Sequence, residues 1–125
     1  MASRRLLLID DEDDIREVAR LSLELVAHWE VLTACSGAEG VDRAQAQRPD
    51  AILLDVMMPG MDGAATYAAL QSNPATRDIP VVLLTAKIFD RPSDRRGLEG
   101  ITVISKPFDP MRLATQVAAA LGWTG

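Results

Sequence analysis

The sequence contains very few of the residues that build disulfides, zinc sites or histidine-based catalytic centres. Its 125 residues include one cysteine, Cys35, and one histidine, His28. A lone cysteine cannot form an internal disulfide, and this pair cannot supply the ligands of a zinc site. We therefore expect a reducing, cytoplasmic environment, with Cys35 as a small buried thiol. His28 is expected to lie at the surface or to cap a helix end.

Long apolar runs and an excess of positive charge are also absent. No apolar segment approaches the roughly 18 residues of a membrane span, and the apolar stretch near the start is too short for a signal peptide. The formal net charge of −5 argues against nucleic acid or an anionic membrane as a direct partner. We expect residues 1–125 to form a single domain, and we expect no output domain because almost nothing follows the last predicted helix.

Strand and helix patterns alternate along the whole chain. Short apolar runs bounded by turn residues predict strands at 5–9, 29–34, 51–54, 81–85 and 101–105. Periodicity and capping signals predict helices after the acidic run 10–14, from Ser36 to about 47, at 64–72 and at 111–121. Residues 87–99 should hold another helix, but Pro92 forbids one running smoothly through them. The alternation predicts an α/β fold with one doubly wound, five-stranded parallel sheet and helices on both faces.

Polar residues follow several of the predicted strands at the point where each strand ends. Asp10-Asp11, Asp55, Thr85 and Lys106 all occupy such positions. Because the carboxyl ends of parallel strands share one edge, these side chains are expected to converge on a single crevice. Three nearby carboxylates need protons or a cation, and oxygen ligands suit Mg²⁺, which often shares its coordination with a phosphate. A lysine and a threonine can bind phosphoryl oxygens.

Four motifs in this order and spacing resemble the receiver domain of bacterial two-component response regulators over the full chain. They are Leu7-Leu8-Ile9-Asp10-Asp11-Glu12, Leu54-Asp55-Val56-Met57-Met58-Pro59-Gly60-Met61-Asp62-Gly63, Leu84-Thr85-Ala86 and Ser105-Lys106-Pro107-Phe108. The resemblance implies the flavodoxin-like strand order 2-1-3-4-5. It also implies a phosphorylatable signalling receiver, whose partners are a histidine kinase or a histidine phosphotransfer protein and a downstream protein target.

The resemblance also implies a role for each residue of the crevice. Asp55 would accept the phosphoryl group, and the resulting aspartyl phosphate would slowly hydrolyse itself. Asp11, Asp55 and the backbone carbonyl of Met57 would hold Mg²⁺, with Asp10 reaching the ion through water. Lys106 would pair with Asp55 and then with its phosphate, while Thr85 would bond a phosphoryl oxygen. The Lys106-Pro107 peptide would be cis.

One position departs from the commonest family pattern, and two other functional classes are open. Many members carry an aromatic switch residue three positions before the site lysine, where this chain has Val103. A degenerate receiver would bind or dimerise without phosphate, although the complete set of site residues argues against it. A phosphatase with an aspartate nucleophile would use a pair such as Asp11-x-Asp13, but the chain lacks material for a cap that encloses a substrate. We favour the signalling receiver, which is not an enzyme toward other substrates.

Overall fold

The computed structural model describes residues 4–86 and 97–123. Five parallel strands form one sheet in the order β2-β1-β3-β4-β5. Their bounds are β1 Arg5–Ile9, β2 Glu30–Ala34, β3 Ala51–Leu54, β4 Val81–Thr85 and β5 Val103–Ser105. The predicted fold class and strand order are confirmed. β1 and β3 are neighbours although β2 lies between them in sequence. The order in which strands are added to the sheet therefore changes direction at β1, which makes the β1/β3 position a topological switch point.

Four helices lie within the described residues: α1 Asp13–Ala27, α2 Gly37–Gln47, α3 Gly63–Ser72 and α4 Leu113–Leu121. Local side-chain contacts explain where α2 and α3 begin. The Ser36 hydroxyl accepts from the Glu39 N–H at 3.2 Å, and the Glu39 carboxylate reaches back to the Cys35 N–H at 2.7 Å. Asp62 caps α3 by accepting from the Ala65 N–H at 2.9 Å. These contacts satisfy backbone donors that a helix start leaves without partners.

Both faces of the sheet are covered, which is why its strands are unbroken apolar runs. One face packs Leu6, Leu8 and Leu53 against α1 and α4. The other face packs Leu7 and Ile52 against α2 and α3. Successive strand side chains point to opposite faces, so a strand between two helix layers needs apolar residues at every position.

Two tryptophans close the end of the domain opposite the carboxyl ends of the strands. The rings of Trp29 and Trp123 meet edge to face with centroids 5.1 Å apart, and the Arg4 guanidinium lies 4.4 Å from the centre of the Trp123 ring. His28 ends α1 in the left-handed conformation with φ of 60°, and its N–H donates to the Glu24 carbonyl. The aromatic rings are packing residues, and His28 has the predicted position at a helix end.

The structure corrects three details of the sequence interpretation. Cys35 is exposed rather than buried, because β2 ends at Ala34 and the chain turns there toward the Ser36 cap. β5 begins at Val103, two residues later than predicted. The last helix begins at Leu113 rather than at residue 111, because a turn precedes it. In this turn the Asp109 side chain accepts a hydrogen bond from the Met111 N–H at 2.9 Å.

Most of segment 87–99, where the sequence analysis expects a helix interrupted by Pro92, lies outside the described residues. Of its described part, Leu98 is buried in the face covered by α2 and α3. Within residues 4–86 and 97–123, no helix combines the length and apolar character needed to cross a membrane.

Candidate functional site

Three carboxylates lie together at the carboxyl edge of the sheet. Asp10 directly follows β1 and Asp55 directly follows β3, and these two strands are paired with Ile9 opposite Leu54. The Asp55 N–H donates to the Ile9 carbonyl at 2.9 Å, so the ladder continues into the site itself. One carboxylate oxygen from each of Asp10, Asp11 and Asp55 lies within 4.8 Å of the other two. Strand register therefore brings residues 45 positions apart into one cluster.

Lys106 brings a positive charge into this cluster from β5. Its side chain is only 6 % exposed, and its Nζ lies 2.7 Å from Asp10 Oδ2 and 3.3 Å from Asp55 Oδ2. A third carboxylate also reaches it, since Nζ donates to Glu12 Oε1 at 3.1 Å. The sequence interpretation placed Glu12 in a motif but gave it no role, because no local signal indicates a contact with a residue 94 positions away.

Backbone contacts fix where Lys106 and Thr85 lie relative to each other. The Lys106 N–H donates to the Thr85 carbonyl at 3.0 Å, and Thr85 is paired with Ser105 in the ladder between β4 and β5. The Thr85 side chain is buried at the end of β4. The peptide bond between Lys106 and Pro107 is cis, as the resemblance implied. The last two strands thus deliver a hydroxyl and an ammonium to the edge where the carboxylates lie.

The loop after Asp55 is held tightly against the site. The Met57 N–H donates to Asp55 Oδ1 at 3.2 Å, and the Gly63 N–H donates to the Val56 carbonyl at 2.9 Å. A Cβ on Gly63 would lie 2.5 Å from the Val56 Cα, so no larger residue fits there without moving the loop. Gly63 therefore lets the start of α3 approach the loop after Asp55 closely. The Met57 side chain itself is exposed.

Burial and charge act in opposite directions on the ionisable groups of the site. Burial raises the pKa of Asp55; the Lys106 charge partly offsets this rise, and the Asp10 charge adds to it. Burial alone would lower the pKa of Lys106, but its contacts with Asp10, Asp55 and Glu12 together raise it. The Lys106 ammonium is therefore favoured in its charged form, whereas burial disfavours the charged form of Asp55 beside it.

The polar atoms of the three acids fit a hard divalent cation. Asp11 Oδ1 is buried and, within the described residues, has no hydrogen-bond partner. A buried carboxylate oxygen without a partner is costly unless an ion or water satisfies it. Both oxygens of Asp10 contact other protein groups, because Oδ1 accepts from the Glu12 N–H at 2.9 Å and Oδ2 lies 2.7 Å from the Lys106 Nζ. The donor set contains only oxygen, which suits Mg²⁺ or Ca²⁺ rather than a softer metal.

The acid pair that an aspartate-nucleophile phosphatase would need is not assembled. Asp13 begins α1, and its carboxylate pairs with Arg16 at 2.5 Å while most of it stays in solvent. Arg16 also donates to the Asp10 carbonyl at 2.8 Å. The second acid of the Asp11-x-Asp13 pair thus serves the start of the helix and does not join the buried cluster.

Residues 6–118 match the family model of the response regulator receiver domain. The chain belongs to this family. It is 43% identical over 120 residues to the response regulator PleD of Caulobacter vibrioides, a match that covers 92% of this chain and 25% of PleD. It is 36% identical over 131 residues to the phosphate regulon transcriptional regulatory protein PhoB of Pseudomonas aeruginosa, covering 100% of this chain and 55% of PhoB.

Solved receiver structures have the same architecture. The chemotaxis protein CheY4 of Vibrio cholerae superposes with a TM-score of 0.84 at 29% identity, covering 95% of this chain and 99% of CheY4. A receiver domain from Methanoculleus marisnigri is 34% identical with a TM-score of 0.75, covering 98% of this chain and all of that domain. The chain spans between a quarter and about half of the two curated relatives named above. The match therefore identifies a receiver domain and leaves the other parts of those relatives aside.

Proposed function

We propose that this receiver domain accepts a phosphoryl group on Asp55 from the phosphohistidine of a histidine kinase or phosphotransfer protein, in a reaction that depends on Mg²⁺. The observation that supports it best is the placement of a buried carboxylate 3.3 Å from the Lys106 ammonium and beside two further acids. That arrangement brings acids from the ends of two neighbouring strands together and provides the Lys106 ammonium to bind a transferred phosphate.

In the proposed reaction an Asp55 carboxylate oxygen attacks the phosphorus atom of the donor. The new O–P bond forms as the N–P bond of the phosphohistidine breaks, and the departing imidazole takes up a proton from solvent. Lys106 and Thr85 are the residues that we expect to bind the phosphoryl oxygens, because both lie at the ends of strands beside Asp55. Slow hydrolysis of the aspartyl phosphate by water would return the carboxylate and release inorganic phosphate.

We assign the Mg²⁺ ligands to Asp11, Asp55 and the Met57 backbone carbonyl, with Asp10 acting through water. The partnerless Asp11 oxygen supports a direct role, and the two protein contacts of the Asp10 carboxylate support an indirect one. The ion would neutralise charge on the carboxylates and on the transferring phosphate. Asp10 would meanwhile hold Lys106 in reach of Asp55.

An apolar hollow beside the site is suited to contact the phosphodonor. It has a volume of about 220 Å³ and is lined by Ile15, Val18, Pro107 and Phe108, with Asp14 and Lys106 among its polar lining residues. Val18 is 45 % exposed, and Leu25 on the same helix is 71 % exposed. A protein that brings its phosphohistidine to Asp55 must cover the surface around Lys106, so this hollow would be buried in the complex.

We place the domain in the cytoplasm with a protein target, and we assign it no direct contact with nucleic acid or membrane.

Intact-mass measurement after incubation with a small acyl phosphate and Mg²⁺ tests this function. The wild type should gain one phosphoryl group, and Asp55→Asn should gain none because the nucleophile is absent. Asp14→Asn is a matched control, since Asp14 is an exposed acid in the first turn of α1 and a small acyl phosphate does not need the hollow that Asp14 lines. Equal labelling of Asp55→Asn and the wild type would place the phosphoryl acceptor elsewhere. Turnover of generic phosphate esters would support the phosphatase function instead.

A further inference from the structure

Glu12 is the one exposed member of the group of carboxylates around Lys106. The Asp10 and Asp55 side chains are 0 % and 2 % exposed, whereas the Glu12 side chain is 55 % exposed. All three place an oxygen within 3.3 Å of the Lys106 Nζ. An ammonium carries three N–H donors, so these contacts surround it. Glu12 is thus the carboxylate that contacts Lys106 from the solvent side.

The capping position of Glu12 does not explain the choice of glutamate. Glu12 is the N-cap of α1, yet its side chain makes no capping hydrogen bond. Serine, threonine, aspartate and asparagine are better suited to that position. The glutamate carboxylate instead reaches Lys106 at 3.1 Å. The length of the side chain therefore serves a contact with a residue of another strand.

Asp10 links Glu12 and Lys106 through its two oxygens. Oδ1 accepts from the Glu12 N–H at 2.9 Å, while Oδ2 lies 2.7 Å from Nζ. The Glu12 carbonyl also accepts from the Arg16 N–H at 2.9 Å, which ties this backbone to α1. The Glu12 backbone is thus anchored to a buried residue of the site, and its side chain closes a ring back to the same lysine.

We propose that Glu12 is a positioning residue for phosphoryl transfer, an inference that rests on the proposed function of Asp55. In the unphosphorylated domain its carboxylate occupies the outward face of the Lys106 ammonium. It must release that face before Lys106 can bind a phosphoryl oxygen on Asp55. Because the Glu12 carboxylate lies largely in solvent while Asp10 is fully buried, its release costs less than breaking the contact to Asp10. Glu12 would thereby slow phosphorylation and weaken the binding of a phosphoryl group, without contacting the reacting atoms.

Three variants separate this contact from a general effect of charge. Glu12→Asp keeps the charge and improves the cap, but its shorter side chain cannot reach Nζ; the fold should be retained. Glu12→Gln keeps the reach and removes the charge. Asp14→Asn removes a negative charge from the first turn of α1 and leaves the Glu12–Lys106 pair in place. All three should bind Mg²⁺ and fold like the wild type.

The first measurements are the rate of adduct formation with a small acyl phosphate and the affinity for beryllofluoride, a phosphoryl mimic, both with Mg²⁺. Glu12→Asp should raise both by about two- to five-fold, the scale on which an exposed ion pair competes. Glu12→Gln should give a smaller rise because the amide oxygen still accepts from Lys106, and Asp14→Asn should match the wild type. If Glu12→Asp behaves as the wild type while Glu12→Gln and Asp14→Asn both react faster, charge alone is responsible and the inference is overturned.

A second measurement follows the Lys106 side-chain resonances by NMR in the metal-free protein. Glu12→Asp should shift them and Asp14→Asn should not, because only the first variant breaks the contact. Unchanged Lys106 resonances in Glu12→Asp would overturn the inference even though the wild type is phosphorylated. A wild type that forms no adduct at all would instead overturn the proposed function, and this inference with it.

Discussion

Two groups of ion pairs in this domain use the same residue types in opposite surroundings. At the edge of the sheet, Lys106 lies between the buried carboxylates of Asp10 and Asp55. On the outer side of α1, Arg20 lies between Glu17 and Glu24 in contact with solvent, with 2.6 Å between Arg20 Nη1 and Glu24 Oε1. The distances within the two groups are similar, but the Lys106 group is shielded from solvent and the Arg20 group is more exposed to it.

The two groups shift the pKa of a carboxyl in opposite directions. The hydrogen bond from Arg20 lowers the pKa of Glu17, because it outweighs the opposing effect of desolvation. Burial raises the pKa of Asp55 even though Lys106 is beside it. A paired carboxylate at the surface therefore keeps its charge at little cost, whereas burial makes the charge of Asp55 costly even beside an ammonium. A divalent cation bound there would reduce that cost.

The largest expected effect comes from removing the buried cation. Lys106→Met keeps the apolar stem but leaves Asp10 and Asp55 without their ammonium, so the metal-free protein should lose about 3 kcal/mol or more of its free energy of unfolding at neutral pH. Urea denaturation followed by tryptophan fluorescence measures this loss. A loss no larger than that of Arg20→Ala would show that burial does not distinguish the two groups.

Removing a direct metal ligand should have the next largest effect. Asp11→Ala should weaken Mg²⁺ binding roughly tenfold or more, since even outer partners of a bound ion change its affinity by such factors. Asp10→Ala should weaken it less, because its contacts in the metal-free protein are to Lys106 and Glu12. The Mg²⁺-dependent rise in melting temperature measures both, with Asp14→Asn as the control. Identical affinities in all four proteins would contradict the metal assignment.

Asp55→Asn should stabilise the metal-free fold by about 1 kcal/mol at neutral pH, an ordinary scale for a single-site change. The pKa of Asp55 is higher in the folded than in the unfolded chain, so the folded protein binds this proton more tightly. The contribution of wild-type Asp55 to stability is present below the unfolded pKa and is lost as pH rises through the folded pKa. The advantage of the asparagine variant should therefore grow with pH over that window. Urea denaturation in chelator at several pH values measures it, and an advantage that grows toward acid would contradict the raised pKa.

The smallest expected effect belongs to the exposed group. Arg20→Ala removes two ion pairs from α1, but water and salt already screen these charges. Its melting temperature should stay close to that of the wild type, and the small difference should shrink further at high salt. A large loss that persists at high salt would mean that Arg20 stabilises the helix by packing rather than by charge.

Sequence patterns located most of the fold because its elements are encoded locally. β3 is recognisable because Ala51 to Leu54 must be apolar on both faces, and α2 because Ser36 and Glu39 form their capping contacts within one turn. Patterns were less successful at the ends of elements, where strand pairing or a turn sets the boundary. β5 and α4 both begin later than predicted, and Cys35 is exposed although its neighbours suggested burial.

The sequence by itself determined the parallel sheet and the edge at which Asp10, Asp55 and Lys106 meet. It could do so because apolar periodicity encodes the strands and because parallel strands all end at the same edge. Only the tertiary structure decided that Asp11 has a buried oxygen with no partner among the described residues and that Glu12 reaches a lysine 94 residues away. Burial and contact distance depend on how the whole chain packs. The sequence shows that Asp11 and Glu12 are acidic residues beside β1. The packing of the folded chain decides which groups their side chains contact.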